Sequence, residues 1–376
     1  MIIKRLSLTN YKNIKAATLQ FSDKLNCIVG GNGMGKTNLL DSIYILSFTR
    51  SYQYLPDSLI IHHDEEMAIV SGEYQREDGQ KESLVLGLSR GKSKKLRRNK
   101  KEYCQMSDHI GLFPAVMIAP GDMDLIRGGS AERRSFMDQI LCQESRVYLT
   151  AAKGYKNLLE QRNSLLKQQM GLDLSLIEVL NQQMAPLAEK ITALRNEWIG
   201  RISPLFHNYY STITKDKECV KLTYATSIGV QEPKAEDFLT AWKSNLQEDL
   251  ACGYTRVGPH RDDLIMLIDD FLIRKIGSQG QNKSYMVALK LAQYSLLCQL
   301  HPDNLPILLL DDIFDKLDED RVEKIVELVS DTRFGQIFLS DTNRKYLDQI
   351  LENLPIEAYT IFQANDGNFL DITPER

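Results

Sequence analysis

The run Gly30-Gly31-Asn32-Gly33-Met34-Gly35-Lys36-Thr37 constrains this chain more than any other feature, because of what stands on either side of it. Before it, Leu25-Asn26-Cys27-Ile28-Val29 is a short apolar stretch that stops at glycine, the pattern of a buried parallel-sheet strand. After it, Leu39, Leu40, Ile43, Ile45 and Leu46 recur at mixed helical spacing up to Phe48, which predicts a helix packed closely on a sheet. Strand, glycine-rich loop and helix in that order satisfy G-x-x-x-x-G-K-[ST] in the context the motif requires. Glycines let backbone amides curl around a β-phosphate, Lys36 offers a point charge to the β and γ groups, and Thr37 offers an oxygen to Mg²⁺. The whole run from Gly30 to Thr37 is therefore expected to bind nucleotide.

A second element complements the first. Leu305-Pro306-Ile307-Leu308-Leu309-Leu310-Asp311-Asp312 is an apolar strand ending in paired carboxylates, the way a Walker B element presents charge at the C-terminal edge of a sheet. Asp311 is expected to hold the metal through water, and Asp312 to orient or deprotonate an attacking water. Asp312 is one methylene shorter than the glutamate found there in many ABC ATPases, which implies slow turnover. Between the two elements, Ile276-Gly277-Ser278-Gln279-Gly280-Gln281 precedes a helical stretch and resembles the ABC signature motif. That likeness implies that Ser278, Gly280 and Gln281 meet the γ-phosphate bound to a second subunit, through an amide-rich helix N-terminus. Phe314-Asp315-Lys316-Leu317-Asp318 matches the D-loop that crosses such a dimer interface. Ile337-Phe338-Leu339-Ser340-Asp341-Thr342 ends a strand where transporter ATPases carry a switch histidine; none is present, which leaves Asp341 or Thr342 as substitutes.

The rest of the chain sets the frame. At 376 residues it exceeds what one hydrophobic core usually organises, so a large domain with an extra lobe is expected. Strand-like segments at 67–74, 83–88, 220–224 and 264–268 bracket a helix-rich middle. There Leu180, Met184, Leu187, Ile191, Leu194 and Trp198 form one stripe, Gly171 breaks the beat, and Ser175 with Glu178 reads as a capping box. A helical hairpin follows, each arm about 25 to 35 residues, or roughly 40 to 50 Å. The expected division is an ATPase head over 1–120, an inserted helical lobe over 121–215, and a return to the head over 216–376. Net charge is −4, so any nucleic-acid surface must be local rather than a basic coat. Cys27, Cys104, Cys142, Cys219, Cys252 and Cys298 show no metal-ligand spacing and suit reduced thiols, small core residues of a cytoplasmic protein. The N-terminus lacks a signal-peptide layout, and no apolar stretch approaches the roughly 20 residues that span a bilayer. A soluble chain without a membrane partner is expected.

Several segments together resemble the RecF family of ABC/SMC-type ATPases. They are Leu8-Thr9-Asn10-Tyr11-Lys12-Asn13, Asn38-Leu39-Leu40-Asp41-Ser42-Ile43-Tyr44, Pro120-Gly121-Asp122-Met123-Asp124-Leu125-Ile126 with Arg133-Arg134-Ser135-Phe136-Met137-Asp138, Gly258-Pro259-His260-Arg261-Asp262-Asp263-Leu264, and Gly277-Ser278-Gln279-Gly280-Gln281. The Asp-Asp ending and the missing switch histidine also fit that family. The resemblance implies an α/β ABC/SMC-type P-loop head, with a mixed sheet core and an inserted helical hairpin. It further implies a bacterial protein that binds Mg-ATP, dimerises on ATP, binds single-stranded DNA and gapped duplex, and cooperates with RecR and RecO to load RecA in repair and SOS induction.

Other readings are bounded by the residues. An energy-coupling transporter subunit is the alternative, against which the missing histidine counts; an SMC rod needs a longer insert, and a nuclease needs more chain after Walker B. His260-Arg261-Asp262 lacks the company of a kinase loop and reads as a structural turn. The basic run Lys92, Lys94, Lys95, Arg97, Arg98, Lys100, Lys101 is either a DNA contact or a solvated hairpin face. Arg133 and Arg134 either face DNA or pair locally. Lys12 is a phosphate contact by the resemblance or an exposed strand-end lysine, and Arg261 is a similar contact or half of a buried ion pair.

Overall fold

The computed structural model describes residues 1–168, 173–215, 218–314, 317–329, 334–342, 351 and 359–374. Two compact units emerge: Met1–Asp122 with Thr212–Thr214 and Lys283–Arg376, and Met123–Ser211 with Lys215–Asn282.

In chain order the first unit opens with β1 (Ile2–Tyr11), β2 (Ile14–Gln20), β3 (Leu25–Val29), α1 (Lys36–Phe48), α2 (Asp57–Ile60), β4 (Met67–Gln75), β5 (Lys81–Ser89), β6 (Lys95–Arg98), β7 (Lys101–Glu102) and β8 (Ala115–Ile118). The second unit contributes α3 (Met123–Arg127), α4 (Ser130–Glu144), α5 (Arg146–Leu166), α6 (Leu174–Thr214), β9 (Val220–Ala225), α7 (Ala235–Ser244), α8 (Leu246–Cys252), β10 (Asp263–Ile268), β11 (Phe271–Leu272), α9 (Ile273–Ile276) and the first turn of α10 (Gln279–Leu300). The chain then completes the first unit with the rest of α10, β12 (Ile307–Asp311), α11 (Glu319–Val329), β13 (Ile337–Asp341), β14 (Tyr359–Asn365) and β15 (Asn368–Asp371).

Two sheets build the first unit. One is antiparallel, in the order β2-β1-β4-β5-β6-β7; the other runs β15-β14-β3-β13-β12-β8 and is parallel except for the β14/β15 hairpin. Alternation explains the first: along β5, Glu82, Leu84, Leu86 and Leu88 point inward between less buried neighbours. The second is covered on both faces, so β8, β12 and β13 are buried at every position. Helix α1 packs on β1, β4 and β5 of one sheet and on β8, β12 and β13 of the other. A helix so enclosed needs apolar residues all round, which is why Leu39, Leu40, Ile43, Ile45 and Leu46 follow no single face.

The second unit is helical with a small sheet, β11-β10-β9. Its stripe is confirmed in Met184, Ile191 and Trp198, joined by Ile177, Ala188 and Ile202. Three expectations change. The arms are unequal, 21 residues in α5 against 41 in α6. The cap of α6 is Asp173, whose carboxylate accepts from the Ser175 amide and hydroxyl, rather than Ser175 itself, which already lies inside the first turn. Residues 215–282, expected to rejoin the head at 216, group with the helices instead, because β9 and β10 pair with each other and with no strand of the larger sheets. The break at Gly171 lies outside the described residues. The thiols are all free, but only Cys27 is buried; Cys104, Cys219 and Cys252 are exposed, which corrects their reading as core residues. Among the described residues no helix is long and apolar enough to cross a membrane.

Candidate nucleotide site

The parallel sheet decides where the charged residues meet. Strand β3 lies between β13 and β14, and β12 flanks β13; the register pairs Val29 with Asp341 and Asp311 with Ser340. The glycine run, the Asp311-Asp312 pair and Asp341 thus leave one sheet edge together, where the C-terminal ends of parallel strands open.

Within the loop, Gly31, Asn32 and Gly33 are exposed, while Gly35 and Lys36 are buried as α1 begins. Gly35 precedes the helix with φ 101°, a conformation that a side chain strains against. At Gly30 a Cβ would stand 2.6 Å from the Ala364 carbonyl oxygen, so only glycine lets the loop pass β14. The Lys36 ammonium curls back to donate to the carbonyls of Gly30 (2.7 Å) and Gly31 (2.9 Å). Burial lowers its pKa, against the raising effect of Asp312, Asp311 and Asp341. The Met34 carbonyl accepts from the Gly367 amide (3.1 Å), so the tip of the β14/β15 hairpin clasps the loop.

Asp311 is 3% exposed and accepts from Thr37 Oγ1 (2.8 Å) and Ser340 Oγ (2.5 Å). Burial raises its pKa, only partly opposed by those hydroxyls, and the neighbouring Asp312 adds to the rise. Asp312 leaves the strand line with φ 49°, its amide donating to Ser340 O (3.1 Å). Asp341 is 4% exposed and Thr342 is exposed. Asp315 and Lys316 of the expected D-loop lie outside the described residues.

Beside the loop opens a cavity of about 990 Å³ lined by Lys12, Asn13, Lys15, His62, His63, Arg90 and Gly367, among others. Asn13 joins it to the loop: its side-chain oxygen accepts from Asn38 (2.7 Å) and lies against Gly35. Nothing in the sequence alone singled out Asn13 or Gly367 as neighbours of the loop, because the first lies in the turn before β2 and the second at the far end of the chain. Lys12 is neither an exposed lysine nor a free cation; its side chain is 8% exposed and pairs with Asp41 at 2.7 Å.

Ser278, Gly280 and Gln281 belong to the second unit apart from the loop's unit. Ser278 and Gln281 cap α10 reciprocally, Ser278 N to Gln281 Oε1 (2.7 Å) and Gln281 N to Ser278 Oγ (3.2 Å). Gln281 also donates to Glu218 (2.8 Å).

The remaining candidates resolve into scaffold. Arg133, 3% exposed, pairs with Asp263 (2.6 Å), and Arg134 donates to the Asp262 carbonyl (2.7 Å), so both act locally. His260-Arg261-Asp262 is a turn, closed by Arg261 N to Gly258 O (2.8 Å), and Asp262 is buried beneath Tyr224 and Ser227. Arg261 is exposed over the Tyr254 ring rather than ion-paired inside. In the basic run, Lys94, Lys95, Arg97 and Arg98 pair with Asp57, Glu102 and Glu82 while Leu96 points inward, which favours the solvated hairpin face.

A covered parallel sheet with a glycine loop and paired acids on one edge, joined to an antiparallel sheet and a helical unit, defines a P-loop ATPase head of the ABC/SMC type. The chain belongs to the RecF/RecN/SMC N-terminal-domain family, whose model matches residues 2–364, and within it to the RecF proteins. It is 47% identical over 367 residues to the DNA replication and repair protein RecF of Phocaeicola vulgatus, covering 98% of this chain and 97% of that one. The solved structure of the recombination mediator protein RecF-ATP in the RecFOR pathway superposes with a TM-score of 0.87 at 27% identity, covering 99% of both chains. A Pyrococcus furiosus Smc head bound to part of ScpA shares the fold, with a TM-score of 0.58 at 16% identity over 99% of this chain and 96% of that one.

Proposed function

We propose that this chain is an ATP-switched DNA replication and repair protein, in which a weak Mg-dependent ATPase opens and closes a homodimer on DNA. The observation that carries the reading is the meeting of the Gly30–Thr37 loop with Asp311 and Asp312 at one edge of the parallel sheet. Family membership supports it over the transporter alternative, as does the lack of histidine at Ser340-Asp341-Thr342.

The residues suit the ligands. Gly30 and Gly35 keep side chains out of the loop, so backbone amides can face phosphate, and Lys36 supplies the charge. The hydroxyl of Thr37 and the carboxylate of Asp311, already in contact, form an all-oxygen set of the kind Mg²⁺ prefers. Bound there, Mg²⁺ would neutralise developing phosphate charge. Asp312 orients water. The Asn13-lined cavity gives the nucleoside a place beside the loop. Ser278, Gly280 and Gln281 present a capped helix start to the nucleotide of a second copy, so ATP joins two chains and its loss releases them. DNA with single-stranded gaps is the substrate of this clamp, and RecO and RecR are its partners in loading RecA.

Sedimentation with ATP and duplex DNA tests this. The native chain is expected to form a dimer on DNA, Asp312→Asn a longer-lived one, and Lys36→Ala none, with nucleotide affinity down about ten- to a hundredfold. A native chain that stays monomeric with nucleotide in every condition overturns the reading.

A further inference from the structure

A set of buried ionised groups runs through the first unit away from the phosphate loop, and nothing in the function above uses it. It starts at Lys12, which lines the cavity and pairs with Asp41 of α1. Asp41 is 1% exposed and also accepts from Tyr11 Oη (2.8 Å), Ser51 Oγ (2.8 Å) and the Tyr52 amide (2.6 Å). Tyr52 turns the path: its hydroxyl donates to Asp122, just beyond β8, and accepts from Lys290 Nζ (2.9 Å). Lys290 is 3% exposed, pairs with Asp122 at 2.9 Å, donates to Met117 O (3.2 Å), and sits midway along α10.

Two ammonium groups and two carboxylates balance here, so the set holds no net charge. For packing alone, apolar side chains of similar volume serve as well or better than buried ions. The ions also answer to a change at one end. Each carboxylate shares Tyr52 with the other, Asp41 through its amide and Asp122 through its hydroxyl, so a loss of the Lys12 partner at Asp41 is felt at Asp122 through one residue.

We propose that Asp41, Tyr52, Asp122 and Lys290 are positioning residues of a relay that reports an anion at Lys12 to helix α10. A triphosphate that draws Lys12 from Asp41 resets Tyr52, which resets the seat of Lys290. Helix α10 begins with the Gly280 and Gln281 turn that Ser278 caps, and a helix is stiff enough to carry a shift from Lys290 to that turn. The relay rests on the nucleotide reading for the identity of its trigger, but its members lie outside the residues that hold nucleotide, Lys12 apart.

Hydrogen exchange read by mass spectrometry separates the two. In the native chain, Mg-ATP is expected to protect the peptide holding Gly30–Thr37 and to change α10 exchange by about threefold or more. Tyr52→Phe, which removes one oxygen, is expected to keep the loop protection and lose the α10 response. The double variant Asp122→Asn with Lys290→Met, which leaves no lone buried charge, is expected to behave alike. Loop protection with an unresponsive native α10 overturns the relay alone, as does an α10 response that survives Tyr52→Phe. A Tyr52→Phe chain whose loop is no longer protected shows a structural residue and overturns it too. A native loop untouched by ATP overturns the nucleotide reading, and the relay with its trigger.

Discussion

Two segments rich in charged residues stand out in this chain, and they meet opposite fates. At the sheet edge after β12, Asp311 is kept from water with two hydroxyls as hydrogen-bond partners and the Lys36 charge nearby, and burial still raises its pKa. Around Gly258–Asp263, by contrast, the buried arginines are paired with carboxylates. Arg195 reaches Asp138, Tyr148, Tyr224 and the Pro259 carbonyl, and Arg162 reaches Asp249, Thr255 and Asn181. A site holds charge in reserve for a ligand, whereas a scaffold spends it internally. Motif density alone does not separate the two; the pairing of buried charge with opposite charge does.

Replacing a scaffold arginine should break the fold more than the site. Arg195→Ala leaves Tyr224 and the Pro259 carbonyl without a buried donor, while Asp138, 41% exposed, keeps Tyr148 and water, so chemical denaturation should show a loss of about 2–3 kcal/mol. The same variant should bind nucleotide normally in the fraction that stays folded; a stability change under about 1 kcal/mol would erase the contrast drawn above.

Acid sharpens the comparison next. His109 in the first unit and His260 in the second are each held down to about 4 by burial, with hydrogen bonds to Leu46 O and Thr255 O respectively. Unfolding frees them to bind protons near the ordinary value of about 6.5. Their contribution is therefore complete above that value and is lost as pH falls from there towards about 4, by at most about 1.4 kcal/mol per pH unit for each histidine. His260→Gln should flatten that slope, measured as melting temperature against pH.

The smallest effect belongs to the helix start of α10. Ser278→Ala removes one half of the reciprocal cap and should cost about 1 kcal/mol of stability. If Ser278 also meets a partner's nucleotide, ATP-dependent dimerisation should fall further than that loss explains. Equal losses in both would leave it a cap only.

Much of the site was legible because its elements are contiguous. A strand, a glycine loop and a helix occupy 25–48 without interruption, and the apolar run before Asp311 announces its own strand. What stayed hidden was built from distant pieces. The network at Arg195 draws on α4, α5, α6, β9 and the turn before β10, so no spacing could reveal it. Asp41 reads as one polar residue in an apolar helix, and only the fold shows Tyr11, Lys12, Ser51 and Tyr52 gathered on it. Lys12 and Arg261 exchanged their expected places, the first buried in an ion pair and the second exposed on an aromatic ring.

The placing of β3 between β13 and β14 ties the earliest motif to the latest strands. During synthesis the glycine loop is made long before either neighbour of its strand exists, although α1 already has β1, β4 and β5 to pack on. Nucleotide binding is thus a late event in folding, and a chain cut before residue 359 would carry the motif intact yet lack one wall of its cradle. ATP retention by such fragments should be poor, which makes nucleotide binding a test of completed assembly.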